Sequence, residues 1–237
     1  MVVTTKEVGF IFDLDGTILD DIPFILNLHV KIAEDYNFPL TDELDALLRE
    51  KVGNLLITSD SDWERFKAMM FLGKKIELPF FSRIKMMVHT KNVIYEFFKK
   101  CPLIDGTQET LDFLKENNVK LGICTNASRS EMNIIFNGRK EILEYFDGNI
   151  ITKDEVKHKK PDPEGIFKLL NKWGLLPHNV IILGDYETDI QAGKDASIIT
   201  VGVLSGVGTL ENFKKWNVDY VIQDISEIPL KFPNLEF

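Results

Sequence analysis

Cysteine is scarce in this chain. There are two, Cys101 and Cys124, and their spacing offers no disulfide framework. Histidine is scarce as well: four are scattered through 237 residues, so no cluster of nitrogen and sulfur ligands selects zinc. No apolar run approaches the roughly 18 residues of a membrane span, and the first residues lack the apolar stretch of a signal peptide. Basic charge is in deficit, and a formal net charge of −9 argues against the basic surface that nucleic acid or anionic membranes require. Internal repeats and low-complexity segments are missing too. These absences lead us to expect a reduced, cytoplasmic protein with neither nucleic acid nor membrane as partner. They assign no oligomeric state.

What is present has an ordinary globular balance, 44% hydrophobic and 27% charged, so a packed core is expected. The length suits one large α/β domain, or a core with a smaller appendage. Near the N-terminus the apolar run Phe10-Ile11-Phe12 ends abruptly in Asp13-Leu14-Asp15-Gly16-Thr17. Two carboxylates held this close are unfavourable unless a cation or a shared proton intervenes. A hard divalent cation such as Mg²⁺, which prefers oxygen ligands, meets that need. Gly16 permits a positive φ or a close ligand approach.

Beyond Thr17 the periodicity turns helical. Asp20-Asp21 before Pro23 reads as a helix start, followed by an apolar face of Phe24, Ile25, Leu28, Ile32 and Ala33. A second helix, capped by Thr41 or Asp42, carries Leu44, Leu47, Leu48 and Val52 and stops at Gly53-Asn54. A third, from about residue 60, places Trp63, Phe66, Met69, Met70 and Phe71 on one stripe, and residues 84–98 form a fourth. From residue 101 onward the pattern alternates. Strands are expected at 119–125, 149–152, 180–184, 198–203 and 220–222. Helices are expected at 107–117, 131–145, 164–173 and 190–194. Such alternation predicts a doubly wound parallel sheet, an α/β fold interrupted by an all-helical insert. The expected division is 1–17 core, 18–100 helical insert and 101–237 the rest of the core.

Ligands of such sheets bind beyond the carboxyl ends of the strands. Reading only those ends collects Asp13 and Asp15, then Thr125-Asn126, then Asp185 with Asp189 one helical turn later. Lys160 opens Lys160-Pro161-Asp162-Pro163, a turn leading into a helix. Each group has an ordinary alternative, as a turn, a helix cap or a solvated charge. Together on one rim they point to a site.

In these segments the chain resembles phosphatases of the haloacid dehalogenase superfamily. The four signature segments occur in order: Asp13-Leu14-Asp15-Gly16-Thr17, Thr125-Asn126, Lys160-Pro161, and Gly184-Asp185-Tyr186-Glu187-Thr188-Asp189. The helical insert matches that family's cap of the first type. The resemblance implies that Asp13 is a nucleophile forming an aspartyl-phosphate. It implies that Asp15 protonates the leaving group and later activates water. Mg²⁺ would be held by Asp13, the backbone carbonyl of Asp15, and Asp185, with Asp189 a direct or outer partner. Lys160 would neutralise phosphate charge and hold Asp13 and Asp189, and Thr125 and Asn126 would bind phosphate oxygens. Tyr186 departs from the family, which commonly has a small hydroxyl residue there.

Short stretches of the insert, Thr41-Asp42-Glu43-Leu44 and Val52-Gly53-Asn54, are similar to phosphoglycolate phosphatases. The resemblance thus implies Gly53 and Asn54 as substrate-binding residues and a small phosphorylated metabolite as substrate. Relatives that dehalogenate lack an acid where Asp15 stands, and transport ATPases carry lysine in place of Leu14. Two alternatives stay open: a β-phosphoglucomutase-like phosphomutase, and a non-catalytic phosphate-binding module on the same fold.

Overall fold

The computed structural model describes residues 7–53 and 62–235. It divides into two compact units, one made of Met1–Asp20 with Cys101–Phe237, the other of Asp21–Lys100. In chain order, β1 (Gly9–Phe12) is followed by the helices of the second unit. These are α1 (Ile22–Asp35), α2 (Asp42–Leu48) with a π-helical turn at Arg49–Gly53, α3 (Asp62–Lys75) and α4 (Phe80–Phe98). The first unit then resumes with α5 (Thr107–Glu116), β2 (Lys120–Cys124), α6 (Arg129–Ile135), α7 (Lys140–Glu144) and β3 (Ile150–Ile151). It continues through α8 (Glu164–Trp173), β4 (Val180–Gly184), α9 (Glu187–Asp195) and β5 (Ile199–Val203). It ends with α10 (Leu210–Trp216), β6 (Tyr220–Ile222) and α11 (Ile228–Lys231).

The six strands form one parallel sheet in the order β3-β2-β1-β4-β5-β6. β1 and β4 are buried along their whole length, the signature of central strands covered on both faces. The chain winds outward from β1 through β2 to β3, then crosses to β4 and winds the other way. The order therefore reverses between β1 and β4, where crevices open at the carboxyl edge. Phe12 is in register with Leu183 and with Ile123, so Asp13 and Asp185 leave adjacent strand ends at nearly the same height.

One face of the sheet buries Ile11, Ile182, Ile166 and Leu169 in a shared cluster, with Trp173 packed against it. Phe12 meets Phe146 edge to face at 6.2 Å, and Phe10 meets Phe232 in the same way at 6.2 Å. Such pairs contribute about 0.5–1.5 kcal/mol each beyond simple burial. The second unit has its own core, in which Leu28, Ile32, Leu48, Val52, Met69, Leu72 and Met86 come together from all four helices. His29, fully buried on α1, hydrogen-bonds through Nε2 to Asp45 Oδ1 of α2 at 2.8 Å. The N-terminus of α2 is capped by Thr41, whose hydroxyl accepts from Leu44 N at 3.3 Å.

One local expectation needs correction. Residues 131–145 are not one helix but two, α6 and α7, separated by a turn with Gly138 at φ 95°. A capping box between Ser128 and Glu131 also starts α6 earlier than the apolar pattern suggested. On α3 the buried face is Ala68, Met69 and Leu72, whereas Trp63 is 64% exposed and stacks on Phe66 at 5.2 Å. Within the expected stripe Met69 is buried and Phe71 packs against the core, while Trp63 faces outward.

Candidate active site

Asp13 N donates to Leu183 O at 2.8 Å, which extends the β1–β4 ladder one residue past β1 and carries Asp13 to the sheet rim. Lys160 arrives from the loop before α8. Its Nζ donates to Asp13 Oδ1 at 2.6 Å and to Asp189 Oδ1 at 2.5 Å, with its side chain only 3% exposed. Burial by itself lowers the lysine pKa, but the Asp13 and Asp189 carboxylates outweigh it, and the net shift is upward. Lys160 is thus a fixed cation at neutral pH.

Asp189 occupies the first turn of α9, where its Oδ2 accepts from Tyr186 N at 3.2 Å. Burial raises its carboxyl to about 6, helped by the Asp13 charge and opposed by Lys160. Asp185, buried at the end of β4, accepts at Oδ2 from Val207 N at 2.8 Å. Asp13, Asp185 and Asp189 each offer one carboxylate oxygen, and these oxygens lie within 4.8 Å of one another. Three oxygen donors at that separation suit a hard cation of the Mg²⁺ type. Asp15 is half-buried and contributes no carboxylate to this group.

The second motif lies at the end of β2. Thr125 is buried, with its N–H donating to Ile151 O at 3.0 Å and its hydroxyl accepting from Ala127 N at 3.0 Å. Asn126 Nδ2 donates to Lys160 O at 3.0 Å, so the second motif directly holds the backbone that presents the lysine. Asn126 Oδ1 is buried with no hydrogen-bond partner among the described residues. Tyr186 precedes α9 with its ring against Trp216, at 6.0 Å between centroids. Cys124 is buried, and burial pushes its thiol up to about 12, in keeping with a packing role. Gly53 closes the π-helical turn of the second unit, and Asn54 lies outside the described residues.

Sequence reading missed the loop after β5. There Ser205 Oγ donates to Gly16 O at 2.7 Å, while Val207 N donates to Asp185 as described. A Cβ at Gly206 would fall 2.0 Å from Asp185 Oδ2, so only glycine admits the carboxylate so close to the chain. The available signal was Gly206-Val207-Gly208 directly after a strand at the carboxyl edge.

The family model for haloacid dehalogenase-like hydrolases matches residues 10–203. The chain belongs to the haloacid dehalogenase-like hydrolase family. The hydrolase is 29% identical over 234 residues to pyrophosphatase PpaX of Bacillus velezensis, covering 95% of this chain and 97% of that one. It is 28% identical over 191 residues to a phosphorylated carbohydrates phosphatase of Thermotoga maritima, covering 79% and 81% respectively. A crystal structure of a β-phosphoglucomutase candidate from Thermotoga maritima superposes with a TM-score of 0.77 at 22% identity. It covers 97% of this chain and all of that one, and so supports the fold. Among the described residues of the hydrolase, no helix is long and apolar enough to cross a membrane.

Proposed function

We propose that this hydrolase is a Mg²⁺-dependent phosphatase of small phosphate monoesters that works through an aspartyl-phosphate on Asp13. The observation carrying this reading is the buried Lys160 ammonium bonded to both Asp13 and Asp189, with Asp185 in the same cluster. Phosphoryl transfer needs chiefly an aligned nucleophile and neutralised equatorial oxygens, and these residues suit both needs. Asp13, Asp185 and the Asp15 backbone carbonyl would hold Mg²⁺, with Asp189 beside them. When bound, Mg²⁺ supplies positive charge to the phosphoryl oxygens and orients them.

In the first half-reaction the Asp13 carboxylate attacks phosphorus and the ester P–O bond breaks. Asp15 gives its proton to the departing alkoxide. In the second, Asp15 takes a proton from water as that water attacks phosphorus. The bond between phosphorus and the Asp13 oxygen breaks, and inorganic phosphate leaves. Lys160 fixes Asp13 and balances charge in both halves, while Thr125 and the Asn126 backbone N–H bind phosphate oxygens. In this reading the Asp21–Lys100 unit serves as a cap, and Gly53 and Asn54 are its substrate-binding residues.

A second reading of the substrate comes from PpaX. Similarity over almost the full length to a pyrophosphatase favours inorganic pyrophosphate, whose leaving phosphate needs less help from an acid than an alkoxide does. A panel of phosphorylated metabolites plus pyrophosphate, assayed with Mg²⁺ for phosphate release, tests both. Turnover is expected to vanish with EDTA and return with Mg²⁺, whereas full activity after exhaustive chelation would refute the metal. Little release, together with a requirement for a bisphosphate primer, would point to a mutase instead.

A further inference from the structure

We infer that the loop after β5, through Ser205 and the Val207 N–H, positions the metal ligands and thereby sets the affinity for Mg²⁺. The inference rests on the metal reading above. Two different signature motifs must be brought together to make the proposed cation site: the turn after β1, with Asp15 and Gly16, and Asp185 at the end of β4. The loop after β5 grips both. Ser205 Oγ donates to the Gly16 carbonyl at 2.7 Å, and two residues later Val207 N donates to Asp185 Oδ2 at 2.8 Å.

The packing around these bonds leaves no slack. A Cβ on Gly16, whose φ is 65°, would stand 2.7 Å from Asp185 Oδ2, and one on Gly206 would stand 2.0 Å from the same atom. The Asp185 carboxylate is thus enclosed between two stretches of bare backbone, and Ser205 ties one to the other. A carboxylate fixed in this way by a neighbouring N–H is preorganised for a cation, and loss of such an outer partner typically weakens metal binding by roughly 10–100-fold. Removing the Ser205 hydroxyl deletes the hydrogen bond that ties the turn after β1 to this loop, and so loosens the setting of Gly16 against Asp185. None of the proposed nucleophile, acid or phosphate contacts is deleted by that change. Ser205 is therefore a positioning residue, acting through Gly16 and Asp185.

The test measures Mg²⁺ binding directly, by titration calorimetry on the full chain with Mg²⁺ alone and no substrate. Variants are Ser205→Ala, Ser205→Thr and, as a control for the metal reading, Asp185→Asn. Ser205→Ala is expected to weaken Mg²⁺ binding by about 10-fold, at the lower end of the 10–100-fold range for such outer partners. Ser205→Thr, which keeps the hydroxyl, should bind within about threefold of wild type by the same reasoning. The Mg²⁺ concentration giving half-maximal turnover should rise in step with the calorimetric value. Wild-type affinity in Ser205→Ala, while Asp185→Asn loses binding, overturns the inference and leaves the metal reading standing. Equal losses in the alanine and threonine variants, with a lowered metal-free Tm, also overturn it, because a damaged loop rather than a missing donor would be responsible. If wild type does not bind Mg²⁺, or Asp185→Asn binds it equally well, the metal reading itself fails.

Discussion

Lys160 has two anions within hydrogen-bond reach and almost no contact with water. Desolvating an ammonium is costly, and only the paired carboxylates make its position tolerable. The dependence is mutual, because without Lys160 the charges on Asp13 and Asp189 face each other in a buried site. Replacing Lys160 with Met should therefore lower metal-free stability by roughly 3–5 kcal/mol, and Mg²⁺ should restore part of the loss. Urea unfolding in EDTA and then in Mg²⁺ measures both effects, and an unchanged midpoint in EDTA would refute this account. Asp13→Asn removes one of the crowded anions, so the fold should survive while the proposed nucleophile is lost. Turnover should fall on the order of 10³-fold or more. A wild-type-like rate in this variant would eliminate the covalent mechanism.

At the scale of the element, Glu164 at the start of α8 joins Asn126 in securing the lysine loop. Its Oε2 accepts from Lys157 N at 2.9 Å and His158 N at 3.0 Å, and its Oε1 pairs with Lys168 at 2.9 Å. The Lys168 contact and these backbone bonds lower its carboxyl from 4.5 to about 2. A depressed carboxylate contributes stability that is complete above its unfolded pKa and disappears as pH falls through the folded one. Comparing Tm for wild type and Glu164→Gln, the difference should be largest above pH 4.5 and close by about pH 2. A gap that stays constant across that window would show that the charge is immaterial.

The same scale shows what could be read in advance. The runs Phe10-Ile11-Phe12 and Val180-Ile181-Ile182-Leu183 are apolar throughout because both faces of their strands are covered, so their ends were easy to locate. Those ends carry Asp13 and Asp185. The break between α6 and α7 was harder, because Ile135 and Ile142 are seven residues apart and hold helical spacing across the Gly138 turn. The loop after β5 was passed over for another reason, since its signal was only a pair of glycines. It contributes a backbone N–H, one hydroxyl and an absent Cβ, and none of these registers as a pattern of charges or nucleophiles.

At the scale of the whole molecule, the proposed function assigns chemistry and selectivity to different parts of the chain. Every residue proposed to touch the phosphoryl group belongs to the sheet unit, whose strand ends hold it in place. Residues 18–63 are strongly acidic and residues 64–100 strongly basic, so charge is divided unevenly along the inserted segment. If the Asp21–Lys100 unit is the cap proposed above, its contribution is to the leaving group, which differs between substrates, and not to the phosphoryl, which does not. The Gly53-Asn54 pair is the sharpest place to test that division. A glycine allows close approach there, and the Asn54 amide can both donate and accept hydrogen bonds. Asn54→Ala should therefore reorder the ranking of natural phosphate esters by kcat/KM. A single lost hydrogen bond corresponds to about 0.5–1.5 kcal/mol, or roughly two- to tenfold, for the substrate that uses it. Turnover of p-nitrophenyl phosphate, whose leaving group offers little to an amide, should change by less than about twofold on the same scale. Parallel losses on every substrate, or no change on any, would assign selectivity to another part of the helical unit.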